Sequence, residues 1–163
     1  SKALSIQLNP PESFKGRMIG VLVSDRTDAT VLAALRDAAA DAGVLVKVIA
    51  PKIGGVADSA GTMHPVDERL GGAPSVLFDA VAILPGGDPL HTSKPAKDFL
   101  SDAHAHCKFI ACSAASAALF KACGITVATD EGLCTISDAA SVERFLTACT
   151  ALRHWPREAT LTL

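Results

Sequence analysis

Residues 108–123 read KFIACSAASAALFKAC, and the order of residue types in this stretch decides the fold. The apolar run ending at Cys112 suits a short buried strand. The small residues that follow suit a sharp turn, and the stretch from Ala114 to Ala122 suits a helix. Strand, tight turn and helix are the layout of a nucleophile elbow, which holds a reactive Cys or Ser at the top of a parallel sheet. Two residues compete for the apex. Cys112 is the better nucleophile, because a thiol ionises far more readily than a hydroxyl. Spacing to Leu119 and Gly124 favours Ser113 instead, with Cys112 then belonging to the strand and pointing into the core.

The groups such a nucleophile needs are sparse. Ala80 to Leu84 reads as a buried strand ending in Pro85-Gly86-Gly87. Ligands in open α/β sheets bind at that carboxyl edge. Glycine there lets backbone N–H groups approach an oxyanion closely, so Gly86, Gly87 and Ala114 are the candidate donors. A serine nucleophile also needs a base within hydrogen-bond reach. No histidine lies between the elbow and His154, which leaves Asp28 in the first βα loop and Asp130 as candidate acidic partners. The plainer reading is that Ser113 caps the helix after it. His104 and His106 alternate as two ligands on a strand would, but no second cluster completes a metal site, so none is expected. His64 and His91 read as isolated loop residues. Trp155, the only tryptophan, stands between Arg153 and Arg157, where it caps a core or anchors an interface.

Working outward, Arg17 to Val23 is a continuous apolar run, suited to a strand covered on both faces. A helix follows with Val31, Leu35, Ala38 and Ala42 on one stripe, and Gly43 ends it. Val44 to Ala50 is a second strand, which makes the opening a parallel βαβ unit. Ile53 to Pro65 reads as a hairpin off the sheet, and residues 70–74 as a turn. Pro95 to Ala105 is a helix, Cys107 to Cys112 the elbow strand, and Thr126 to Ala128 and Leu133 to Ile136 short strands. Ser137 or Asp138 caps a last helix with Val142, Phe145, Leu146, Cys149 and Leu152 on one face. The alternation predicts a three-layer α/β/α sandwich of flavodoxin-like type with a mainly parallel sheet. Residues 1–15, with Asn9-Pro10-Pro11, read as a linker or arm, and residues 16–163 as one domain.

Composition narrows the function classes. A net charge of −2 without a basic stripe argues against a nucleic-acid partner. No apolar run approaches the ~18 residues of a membrane span, and no signal peptide is read at the start. Position 1 is Ser rather than Met, as expected for a piece of a longer polypeptide. The five cysteines form no C-x-x-C pair and sit among apolar residues, as reduced thiols acting as small hydrophobes would. The cytoplasm is the favoured compartment.

Several short matches in one order run along nearly the whole chain. They are Ala3-Leu4-Ser5, Gly16-Arg17 before the first strand, Gly71-Gly72-Ala73-Pro74-Ser75 before Phe78-Asp79-Ala80-Val81, Pro85-Gly86-Gly87, and Arg153-His154-Trp155. In these the sequence resembles the carboxy-terminal domain of large-subunit catalases. That domain belongs to the superfamily of PfpI-type proteases and class I glutamine amidotransferases. Active members carry a Cys at the elbow, a Glu in the first helix region and often a His after the elbow helix. The best-matching positions here hold Ser113, Val31 and Asp130. The resemblance therefore implies the fold and a parent haem catalase that dismutates hydrogen peroxide, with catalytic activity absent from this domain. It implies no cofactor in this chain, because the haem of a catalase takes a Tyr axial ligand and the chain has no tyrosine. It implies as partners a catalase core and the other subunits of a homotetramer, with a role in stability, assembly and peroxide access. Two rival expectations are a chaperone (holdase)-like module that binds unfolded clients, and a residual thiol or serine hydrolase or glyoxalase-like enzyme using Cys112 or Ser113.

Overall fold

The computed structural model describes residues 13–161. In chain order, β1 (Met18–Val23) leads into α1 (Ala29–Asp41) and β2 (Leu45–Ala50). A two-stranded antiparallel hairpin, β3 (Val56–Ala57) and β4 (Met63–His64), stands off the sheet as expected. Then come β5 (Glu68–Arg69), β6 (Ala80–Leu84), α2 (Lys94–Ala105) and β7 (Ile110–Cys112). The chain closes with α3 (Ala117–Ala122), β8 (Leu133–Thr135), α4 (Ala139–Cys149) and a 3-10 segment at Trp155–Thr160.

Six strands form one sheet in the order β5-β2-β1-β6-β7-β8. Every pairing in it is parallel. Val21 on β1 is in register with Val48 on β2 and Ala82 on β6. Helices cover both faces, which is why β6 is buried along its whole length. α1 and α4 pack on one face, where Leu32, Leu35, Val142 and Phe145 are all fully buried. α2 and α3 pack on the other with Phe99, Leu100, Leu119 and Phe120. Burying one such side chain stabilises by about 1.5–3 kcal/mol relative to leaving it exposed. The architecture is the expected three-layer sandwich.

The ends of the helices follow their sequences. Asp28 caps α1, accepting from Val31 N at 3.1 Å, and Gly43 leaves it at φ +69°, a left-handed conformation suited to glycine. Asp138, not Ser137, caps α4, and its capping box is closed by Ser141. The expected stripe of α4 is buried from Val142 to Leu152.

Four local expectations are corrected. The elbow strand begins at Ile110, not Cys107, because Cys107 turns to φ +59° just after α2. Residues 127–129 form a 3-10 turn rather than a strand. The elbow helix starts as a separate 3-10 turn at Ala114–Ser116, with α geometry only from Ala117. β5 was not expected at all: its two residues, Glu68 and Arg69, are exposed at the sheet edge and carry no apolar signal. The arm expected at residues 1–15 lies mostly outside the described residues. Phe14 is buried and packs into the core beneath α1 and α4, so the packed body starts one residue before Lys15.

Candidate functional site

β2 and β6 lie on opposite sides of β1. The chain therefore reverses direction across the sheet at β1, and the carboxyl ends of β1 and β6 frame a crevice. The loop after β1 and the Pro85-Gly86-Gly87 turn meet there. Ser24 Oγ donates to Asp88 O and accepts from Gly86 N, both at 2.8 Å. Thr27 Oγ1 donates to Leu84 O at 2.7 Å. Gly87 N donates to Asp25 O at 3.0 Å. A Cβ on Gly86 would sit 2.0 Å from Asp25 O, so only glycine allows the two loops to approach this closely.

The hairpin braces the same loop. Arg26, at φ +69°, donates its N–H to Ala57 O at 2.7 Å, and Ser59 N donates to Thr27 O at 2.8 Å. Ser59 Oγ accepts from Ala29 N at 2.9 Å. Inside the hairpin, Asp58 accepts from Ala60 N and Thr62 N, and pairs with His64 Nε2 at 2.8 Å. Those bonds, the His64 bond first, hold the Asp58 carboxyl below the usual range. His64 is therefore a fixed partner of Asp58 and not an isolated loop residue.

The crevice has a volume of about 370 Å³. Arg26, Asp28, Ser59, Gly86, Ser113 and Ala114 are among its lining residues, and no His or Cys is. The structure thus brings together Ser113, Ala114, Gly86 and Asp28. Gly87 is occupied from its far side, because the Arg26 guanidinium fills the place a Cβ would take. The chemistry these groups offer is weak. The N–H groups of Gly86 and Gly87 are spent on Ser24 and Asp25, which corrects their expected oxyanion role. Asp28 is engaged as a helix cap. Ser113 Oγ is buried without a hydrogen-bond partner among the described residues, and its side chain makes no cap bond, so the capping expectation is corrected too.

Cys112 faces away from the crevice. It is buried beside Leu119, Phe120 and Leu133, with Sγ 3.7 Å from Cys134 O and 3.9 Å from Thr135 Oγ1. Burial pushes its thiol pKa up, the opposite of what a nucleophilic thiolate needs. Cys134 is pushed up to about 11, again by burial.

Asp130 does not reach the crevice. It precedes β8, at the amino edge of the sheet, and binds Arg157, a residue 2% exposed. Arg157 Nε and Nη2 donate to its two oxygens at 2.5 and 3.2 Å, and Nη1 donates to Lys108 O at 2.8 Å and His104 O at 3.2 Å. His104 and His154 flank the carboxylate at 3.7 and 3.6 Å. Burial alone would raise the Asp130 pKa, but the Arg157 bond and charge outweigh it and hold the carboxyl low. His104 is lowered, by burial first and the Arg157 charge second. It belongs to the last turn of α2, and His106 follows that helix, so both precede the elbow strand and do not pair on it. Sequence reasoning missed Ser24, Thr27 and Ser59, although the switch point at β1 places the first βα loop against the Pro85-Gly86-Gly87 turn. It also missed Arg157, whose burial has no local signal.

The fold is that of the DJ-1/ThiJ/PfpI group. A ThiJ/PfpI domain protein from Brachyspira murdochii superposes with a TM-score of 0.69 at 16% identity, over 91% of this chain and 99% of the other. Oxidized Toxoplasma gondii DJ-1 gives 0.65 at 16% identity, over 89% and 95%. Residues 15–159 match the C-terminal domain found in long catalases, and the chain belongs to that family. It is 40% identical to Catalase C of Rhizobium meliloti (strain 1021) over 100% of this chain and 24% of that protein. It is 33% identical to Catalase HPII of Pseudomonas putida over 98% of this chain and 22% of that protein. The chain thus spans about a quarter of the length of the curated relatives it matches. The Ala3-Leu4-Ser5 part of the resemblance lies outside the described residues.

Proposed function

We propose that this chain is a non-catalytic accessory domain of a haem catalase, joined through residues 1–15 to a core that carries the peroxide chemistry, with residues 16–163 as the domain. The observation that carries the reading is the family match over residues 15–159 to a domain of long catalases. The elbow geometry supports it. Gly86 and Gly87 have spent their donors, Cys112 is buried with a raised pKa, and Asp28, the carboxylate that lines the crevice with Ser113, is engaged as the cap of α1. The residues of this chain also do not fit the haem itself. It has no tyrosine, and no cluster of metal-ligating side chains occurs among the described residues. The haem then belongs to the core, and the other subunits of a homotetramer are the partners.

The role of the domain is kinetic stability. Native-state contacts formed after the folding transition state slow unfolding without changing the chemistry. The test is the parent catalase with and without this domain. Equal initial rates of hydrogen peroxide dismutation and a shorter half-life at elevated temperature are expected on deletion. An unchanged half-life sinks the stabilising role, and a changed Michaelis constant for peroxide with unchanged half-life replaces it with a role in substrate access.

A further inference from the structure

A second cavity opens at the amino edge of the sheet, remote from the elbow. Its volume is about 540 Å³. Val76, Ala105, Cys107, Trp155 and Leu161 give it a mostly apolar wall. Val76 is 70% exposed, and Leu77, beside it in the same 3-10 turn, is 55% exposed. The turn is fixed from within. Buried Lys108 donates through Nζ to Ser75 O, and Phe78 N donates to the same carbonyl at 3.0 Å. Two adjacent large apolar side chains held outward beside an apolar cavity mark a surface that takes a partner.

The chain enters the sheet next to this cavity. Asp79 accepts from Met18 N at 2.9 Å and pairs with Arg17 at 3.6 Å. Its carbonyl accepts from Arg153, a wall residue, at 3.3 Å. One residue thus separates the start of β1 from the cavity. Cys107 and Lys108, in the wall, lead into β7, which lies two strands from β1, about 10 Å at the usual spacing. The described body begins at Ser13, and the residues before it read SKALSIQLNPPE. Leu4, Ile6 and Leu8 recur at every second position, so an extended backbone brings all three to one side, with Ser5 and Gln7 on the other. Pro10 and Pro11 favour extended backbone. At about 3.3 Å per residue, Leu8 reaches up to about 16 Å from Ser13 and Leu4 up to about 30 Å. The apolar positions of the segment therefore span the distance to the cavity.

We propose that residues 4–8 of this chain dock on the cavity as an extended segment, with Leu4, Ile6 and Leu8 against Val76, Trp155 and Leu161. The docking is a property of this chain alone and does not rest on the accessory role.

Trp155 is the only tryptophan, is half-buried, and has no tyrosine beside it in the chain, so its emission reports on this wall. Acrylamide quenching of the 163-residue chain reads how well the wall is covered, and urea unfolding reads what the cover contributes. Leu4→Ser, Ile6→Ser and Leu8→Ser combined should raise the quenching of Trp155. The same variant should lower the folded-to-unfolded ratio about threefold or more, the part of three apolar burials left after the cost of ordering the segment. Ser5→Ala with Gln7→Ala, on the opposite side of the segment, should leave both readings unchanged. Val76→Ser should cost about twofold or more less in the combined variant than in the wild type, because its partner is already gone. Unchanged quenching in the combined variant overturns the proposal, and so does an equal cost of Val76→Ser in the two backgrounds. Equal effects from the two sides of the segment overturn it as well. Cover of Trp155 that grows with chain concentration assigns the wall to a second copy and overturns the internal segment.

Discussion

Replacing Asp130 with alanine strands the guanidinium of Arg157 inside the protein. That side chain is 0% exposed, and two of its four hydrogen bonds end on Asp130. The bonds to the carbonyls of His104 and Lys108 persist but carry no countercharge. Removing one partner of a buried pair costs about 3–5 kcal/mol, because the desolvation of the survivor is no longer offset. Asp130→Asn keeps an acceptor for Arg157 and Gly132 N, so its cost should fall to about 1–3 kcal/mol. Urea unfolding followed by Trp155 emission and circular dichroism measures both, with an unchanged slope confirming that only stability moved. The pH dependence is a second reading. The folded pKa of Asp130 is lowered, so its stabilisation is present above the unfolded value of 3.8 and is lost as pH falls through the folded pKa. The folded pKa of His104 is lowered below 6.5, so the unfolded chain binds that proton first and stability also declines as pH falls below 6.5. Wild type should lose stability in these two windows, and Asp130→Ala should lack the more acid one. A cost under about 1 kcal/mol for Asp130→Ala, within the range of an exposed pair, would refute the reasoning.

Three further outcomes test the elbow end. Gly86→Ala should destabilise by about 2 kcal/mol or more, because its Cβ meets the Asp25 backbone, whereas Gly87→Ala meets only the end of the exposed Arg26 side chain and should cost under about 1 kcal/mol; equal melting temperatures for the two would contradict the packing described. Ser113→Ala removes a buried hydroxyl without a partner, so stability should hold or rise by up to about 1 kcal/mol in denaturant titrations, and a clear loss would mean the hydroxyl has a partner after all. Alkylation with iodoacetamide near neutral pH should be slow everywhere and reach half-buried Cys123 before Cys107, Cys112 and Cys149, whose thiols burial pushes up. Rapid modification of Cys112 in mass-spectrometric mapping would revive a thiol enzyme.

The elements that were legible carry strong periodic or continuous apolar signals. β1, β6 and the Val142-to-Leu152 stripe of α4 are buried where their patterns place them. The apex of the elbow was legible as a pair, and the strand register settles which side chain faces the core: Cys112 lies opposite Thr135 and beneath α3. What failed was short or tertiary in origin. β5 is two exposed residues recruited by pairing with Ile49 and Ala50. Thr126 to Ala128 looks like a strand because two β-branched residues precede an alanine, but residues 127–129 close into a 3-10 turn. The roles of Gly86 and Gly87 were misread because a free N–H and a spent one look alike in sequence.

The two ends of the sheet differ in how their hydrogen-bonding capacity is used. At the carboxyl end, where open α/β sheets generally bind ligands, Ser24, Thr27 and the hairpin bind loop to loop. The N–H groups of Gly86 and Gly87 and the hydroxyls of Ser24 and Thr27 point at protein atoms. Such a network holds the loops at close approach and leaves little to offer a substrate. At the amino end, Lys108 Nζ donates to Ser75 O, and Trp155 Nε1 is buried with no partner among the described residues. Arg157 and Asp130 clamp the closing 3-10 segment that carries Trp155. A site that keeps the fold but closes the elbow is consistent with an accessory domain. The amino edge is held by one ion pair, so Asp130→Ala should loosen the Trp155–Thr160 segment and shift Trp155 emission in the folded state alongside the loss of stability.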